Sequence, residues 1–245
     1  MDDIFIGEIV NGYTIKKKCG EGKIGSVYLA EKDGRVIDRR AIKFIDNDKK
    51  LDGWENEINK VTQLEMTDGV VPYVDHGSTQ INGKTFKYIF WRFVKGDCLR
   101  TYIETKKLTI PILKDVITRV LSVLHACQVS NIHHGDLHAG NILIEDANEM
   151  NIDPNVRKIW VTDFGYLTVS MGKVALDDLQ GLCGVIVDCI ESIDFHDLEG
   201  HEKFEYSRIK NDFVRMLGET NPIENDFARS PRNLLNAFNK SNKKT

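Results

Sequence analysis

This 245-residue sequence has no long apolar run, no paired cysteine spacing and no excess of basic charge. Each absence narrows what it does. The longest apolar stretch, "GLCGVIVDCI", is broken by Asp188 and is too short to cross a bilayer, so no membrane span is expected. The cysteines, Cys19, Cys98, Cys127, Cys183 and Cys189, are odd in number and none forms a C-x-x-C pair. Neither a disulfide framework nor a zinc site is expected, and a reducing, cytoplasmic setting fits. The net charge of -4 offers no basic field for nucleic acid or an anionic membrane. Only the last residues, "NKSNKKT", are locally basic, and they read as a frayed end. The opening "MDDIFIGEIV" has no basic stretch ahead of an apolar core, so a secretion signal is not expected. What remains is a soluble composition, 41% hydrophobic and 29% charged, sufficient for one large domain or two small lobes.

The first third reads as short strands separated by turns, with "KDG" at Lys32 to Gly34 as one turn and Asn82–Gly83 as another. One helix interrupts them. Asp52 is its expected cap, and Trp54, Ile58, Val61 and Leu64 recur at helical spacing. After Gly96 helices dominate. The longest, "IPILKDVITRVLSVLHACQ", aligns Ile112, Val116, Val120, Val123 and Leu124 on one stripe. The last is capped by Ser230, with Pro231 at its first position. This order predicts an α+β chain: an antiparallel, sheet-rich lobe with one helix over 1–94, a mainly helical lobe over 95–245, and a crevice between them.

Several residues carry chemistry beyond folding. Gly20, Gly22 and Gly25 form G-x-G-x-x-G between two strands rather than between strand and helix. A dinucleotide site needs a helix N-terminus there, whereas a glycine hairpin lets backbone N–H groups approach a triphosphate. Lys43 sits in "RAIKFI", a strand apolar on both faces, and there it needs an anion: phosphate, or the helix glutamate Glu57. Asp136 and Asn141 are spaced D-x-x-x-x-N in "HGDLHAGNILI", and Asp163 ends the apolar strand of "VTDFGYL". Two carboxylates and an amide oxygen are hard ligands suited to Mg²⁺, and one acid can instead orient an attacking hydroxyl.

Taken in order, these motifs resemble the protein-kinase superfamily from about Tyr13 to Phe238. The resemblance implies a bilobal kinase-like fold using ATP and Mg²⁺. Gly20, Gly22 and Gly25 would cover the phosphates, and Lys43 would grip them while pairing with Glu57, with Glu55 as the alternative. Asp136 would be the catalytic base, Asn141 and Asp163 the metal ligands, and Phe164 would pack beneath Asp163. Val27, Ala41 and Leu143 would sandwich adenine. The backbone from Arg92 to Val94 would bond its edge, with Trp91 at the rear of the pocket. Asp178, with Asp177 as competitor, would brace the catalytic loop. His125 would be a core histidine bonding that loop, and Cys98 a half-buried residue at the rim of the nucleotide site.

Departures define the kind of kinase. Gly135 stands where an arginine usually receives a phosphorylated activation loop, and His138 replaces a lysine. "HGDLHAGN" is similar to the aminoglycoside and choline kinases, while "AIK" and "DFG" are similar to protein kinases. The stretch from Asp163 to Asp178 is short and has no A-P-E, leaving Arg229 without its usual partner. The expected function is an atypical serine/threonine-type protein kinase acting on a protein substrate or with a regulatory partner. The alternatives are a small-molecule kinase and a nucleotide-binding scaffold.

Overall fold

The computed structural model describes residues 3–22, 25–46, 54–146, 157–164, 174–218 and 231–242. They fall into two units, Met1–Glu65 with Val71–Val94, and Met66–Val70 with Lys95–Thr245. The architecture is α+β. Sheet dominates the first unit and helix the second.

The first unit holds a six-stranded antiparallel sheet. Its strands are β1 (Ile9–Val10), β2 (Tyr13–Glu21), β3 (Gly25–Lys32), β4 (Asp38–Asp46), β5 (Tyr73–Ile81) and β6 (Lys84–Arg92), in the order β1-β2-β3-β4-β6-β5. Alternation sorts its two faces. Ile42 and Phe44 of β4 join Tyr28, Ala30, Tyr88 and Phe90 in a buried cluster on one face. Phe5, from the segment before β1, stacks on Phe44 at 4.2 Å and extends this cluster. The opposite face carries Ala41, Lys43 and their cross-strand partners Trp91 and Ile89. Helix α1 (Trp54–Gln63) lies on that side, burying Trp54, Glu57, Ile58 and Val61. Asp52 lies outside the described residues.

In the second unit, α2 (Leu99–Glu104) follows a short strand, β7 (Gly96–Cys98). Helix α3 (Ile110–Val129) starts where Thr109 Oγ1 accepts the Ile112 N–H and Pro111 fills an early position that lacks a donor requirement. Val116, Ile117, Val120, Leu121 and Val123 have no exposed surface, so α3 is buried beyond its single expected stripe. Strands β8 (Ile142–Glu145) and β9 (Lys158–Val161) pair with β7 in the order β7-β8-β9. Helices α4 (Val174–Ser192), α5 (Gly200–Gly218) and α6 (Pro231–Asn242) complete the unit. Helix α5 begins at Gly200, ahead of the apolar pattern that starts near Tyr206, because its first turn is polar.

Residues 66–70 differ from the sequence boundary at 94/95, because they pack with the second unit. Val70 bridges Val161, the Val161 N–H donates to the Gly69 carbonyl, and Asp68 pairs with Arg119 of α3. Among the described residues, no helix is long and apolar enough to cross a membrane.

Candidate active site

Lys43 stands in an apolar segment of β4, and its side chain is almost fully buried. Its Nζ lies 3.1 Å from Oε2 and 3.3 Å from Oε1 of Glu57, which is equally buried. Helical spacing explains the choice of Glu57: it points inward with Trp54, Ile58 and Val61, while Glu55 is exposed. A buried ion pair survives only when each charge has its partner in place.

Beside it, Gly22 N–H donates to the Gly25 carbonyl at 2.9 Å and closes the turn between β2 and β3. A Cβ on Gly25 would strike the Phe44 carbonyl oxygen, so strand packing itself demands glycine there. A Cβ on Gly20 would meet nothing within 4 Å. Val27 pairs with Lys43 and Ala41 lies two residues away, which puts both on the Lys43 face, half-buried. Trp91 is on this face as well and is buried, with its ring 6.0 Å from that of Tyr73. The Arg92 N–H is taken by the Pro72 carbonyl at 2.9 Å. Arg92 also pairs with Arg40 across β4 and β6.

In the second unit, Asp178 of α4 accepts the His134 N–H on Oδ2 and the Gly135 N–H on Oδ1, each at 2.8 Å. Gly135 has φ +81°, a left-handed conformation that glycine adopts without strain and that aims its amide at Asp178. The Asp177 side chain lies outside the described residues. The His134 ring is fully buried, and its Nδ1 accepts the Asp136 N–H at 3.2 Å while Nε2 donates to the Thr162 carbonyl at 3.0 Å. Burial lowers its pKa below the ordinary value, against the pull of nearby carboxylates and the Thr162 bond. Its ring sits 4.7 Å from Phe164, which is also fully buried.

Asn141 is held from three sides. Its Nδ2 donates to the Asp136 carbonyl at 2.9 Å, its N–H to the His138 carbonyl, and its own carbonyl accepts the Thr162 N–H. With Nδ2 so engaged, Oδ1 is the acceptor atom of the Asn141 side chain. Asp163 has φ +60°, a region that short polar residues tolerate better than most. The Asp136 carboxylate is exposed, and its Oδ2 lies 3.9 Å from His138 Nε2. Leu143 is half-buried on β8, paired with Cys98 and Trp160. A cavity of about 670 Å³ adjoins the catalytic loop, lined by Leu137, His138, Arg100, Glu104, Gly181 and Asp188 among others.

A family model described as the protein kinase domain matches residues 13–183. The chain belongs to the protein kinase domain family. Among curated relatives, the serine/threonine-protein kinase MPS1 of Encephalitozoon cuniculi is 26% identical over 153 residues, 62% of this chain and 25% of that protein. Serine/threonine-protein kinase YabT of Bacillus subtilis is 29% identical over 138 residues, covering 55% and 39%. Serine/threonine-protein kinase shk2 of Schizosaccharomyces pombe is 25% identical over 171 residues, covering 67% and 27%. The chain thus spans well under half the length of these relatives. Protein kinase domains use ATP and a divalent metal.

Within this kinase domain, one feature differs from expectation. His125 makes no hydrogen bond to the catalytic loop: its Nδ1 has no partner, and His134 is the histidine that ties that loop to Thr162. Cys98 is half-buried at the start of α2, as expected, and its Sγ is 3.4 Å from Thr101 Oγ1. Gly181 of α4 makes a close approach that the sequence does not announce: a Cβ there would press on the Leu137 carbonyl oxygen of the catalytic loop at 2.8 Å. The only signal for it was a glycine inside a helix, where alanine is favoured by about 1 kcal/mol. Gly165, the segment after it, Arg229 and Ser230 lie outside the described residues.

Proposed function

We propose that this domain transfers the γ-phosphoryl group of ATP to a hydroxyl of a protein substrate, as a compact serine/threonine-type kinase. The observation that carries the reading is the catalytic loop, where an exposed carboxylate, Asp136, has its own backbone tied down at both ends. Its N–H is held by His134 and its carbonyl by Asn141. A base must be accessible and fixed at once, and this arrangement supports both.

In the reaction, Asp136 takes the proton of the attacking hydroxyl. The hydroxyl oxygen bonds to the γ-phosphorus as the bond from that phosphorus to the β,γ-bridging oxygen breaks, and ADP leaves with the electron pair. His138 donates toward the transferring phosphoryl oxygens. Lys43, held by Glu57, neutralises the remaining phosphates. The donors offered to a metal, Asn141 Oδ1 and the Asp163 carboxylate, are hard oxygens, and two protein ligands suit Mg²⁺, which keeps waters and phosphate oxygens as its others. When bound, Mg²⁺ would offset charge on the β- and γ-phosphates. In the first unit Val27 and Ala41 offer adenine an apolar face with Trp91 behind it, and in the second unit Leu143 offers another.

Two features support a serine/threonine protein substrate over a small molecule: the full glycine turn and the names of the matching relatives. Gly135 in place of an arginine supports activity that needs no phosphorylated activation loop. The short segment after Asp163 favours a partner protein that helps hold the substrate, in the cytoplasm. The test is incubation with γ-labelled ATP, Mg²⁺ and mixed protein and small-molecule acceptors, with Asp136→Ala as control. Asp136-dependent label on protein supports the reading. Label only on small molecules would move the chain to the aminoglycoside- and choline-type group, and nucleotide binding without label would make it a scaffold.

A further inference from the structure

We propose that Arg100 is a positioning residue for His138, and that position 140 is glycine so that both side chains can take their places. This rests on the reading of His138 as a donor in phosphoryl transfer. The neighbours of the imidazole determine where its proton sits. The Gly140 amide can only donate, and it donates to His138 Nδ1 at 3.0 Å. A guanidinium can only donate as well, and Arg100 Nη2 lies 3.4 Å from the same nitrogen. Nδ1 therefore carries the lone pair, and the neutral ring holds its proton on Nε2. That is the nitrogen 3.9 Å from Asp136 Oδ2. The donor is thus aimed at the base's side of the loop without the ring needing a charge.

Gly140 supplies an independent observation. A Cβ there would lie 2.9 Å from His138 Cε1, 3.0 Å from Nδ1 and 3.2 Å from Arg100 Nη2. Any side chain at 140 would crowd both the ring and the guanidinium out of these positions. The physical need is specific to histidine. A lysine at 138 would carry three equivalent donors on one nitrogen, whereas an imidazole has two nitrogens and offers the wrong one unless its tautomer is fixed. Arg100 comes from α2, 38 residues away in sequence, so the helix after β7 sets the chemistry of the catalytic loop.

The full chain tests this in two readouts. Nitrogen-15 imidazole spectra of the wild type are expected to show His138 as the Nε2–H tautomer, and Arg100→Ala to mix in the Nδ1–H form. Arg100→Ala is expected to lower kcat about 5- to 10-fold with little change in the KM for ATP. Arg100→Lys, which keeps a cationic donor, should recover most of that loss, and Gly140→Ala should resemble Arg100→Ala. In a His138→Ala background, Arg100→Ala should have no further effect. A full additional loss there would overturn the proposal, because Arg100 would then act on substrate directly through the cavity it lines. An Nδ1–H tautomer in the wild type would overturn it as well. Wild-type turnover in His138→Ala would refute the donor reading of His138 and with it the catalytic use of Arg100, while the tautomer spectrum would still report their contact.

Discussion

The Asp178 carboxylate caps two consecutive amides of the catalytic loop, those of His134 and Gly135, both at 2.8 Å. Hydrogen bonds to a charged acceptor contribute more than neutral ones, and both amides lose their partner if the acceptor goes. Asp178→Ala should therefore destabilise the domain by about 3 kcal/mol in denaturant unfolding. Asp178→Asn, which keeps one acceptor oxygen, should fall between. Loss of less than about 1 kcal/mol for alanine would show that the loop is held elsewhere.

Lys43 and Glu57 should be coupled in both stability and activity. Removing either leaves a charge in an apolar setting, at a cost of about 3–5 kcal/mol. The double variant Lys43→Met/Glu57→Met removes both charges and should lose less than the sum of the single changes. A double-mutant cycle measures this directly, with a coupling of about 1 kcal/mol or more expected. Additive losses would mean the two side chains do not depend on each other.

Gly25 and Gly20 should respond differently to the same added methyl group. Gly25→Ala drives a Cβ into the Phe44 carbonyl across the β3–β4 pair and should destabilise the first unit. Gly20→Ala has open space and should leave stability within about 1 kcal/mol, altering only the KM for ATP. Thermal melts and ATP titrations on the two variants separate the roles. Equal melting losses would contradict this assignment.

Glu205 of α5 lies between Arg208 and Lys114, 2.7 and 3.4 Å away. Burial alone would raise its pKa, but the Arg208 hydrogen bond and charge, with Lys114, outweigh it and hold the carboxyl below its ordinary value. A depressed folded pKa stabilises above the unfolded value of about 4.3, and that stability is lost as pH falls from there through the folded value. Wild type should thus exceed Glu205→Gln in stability at neutral pH, and the gap should close in acid. Urea unfolding across the acid range checks it, and a constant gap would contradict it.

Much of this arrangement is legible in the chain because it is local. Lys43 stands out as a charge in a strand apolar on both faces, and helical period alone orients Glu57 inward rather than Glu55. Asp178 is visible as an acid near the start of a helix, whereas the left-handed backbone of Gly135 emerges only in the structure. What sequence does not carry is contact between distant segments. Nothing in "KIGSVY" announces that Gly25 lies against the Phe44 carbonyl, because that approach depends on register with β4. The sequence does not say which of His125 and His134 bonds the loop, and only the placement of Thr162 decides it. The Arg100–His138 contact and the packing of 66–70 on α3 and β9 are likewise products of tertiary structure.

The central claim, that Asp136 is the base of an ATP-dependent phosphotransferase, is tested most directly by single-turnover transfer from ATP to a protein hydroxyl at saturating nucleotide. Wild type and Asp136→Asn are compared, with nucleotide affinity measured on both. The predicted result is a fall of about 10²- to 10⁴-fold in the transfer rate with ATP affinity unchanged. Equal transfer rates in the two proteins would contradict it.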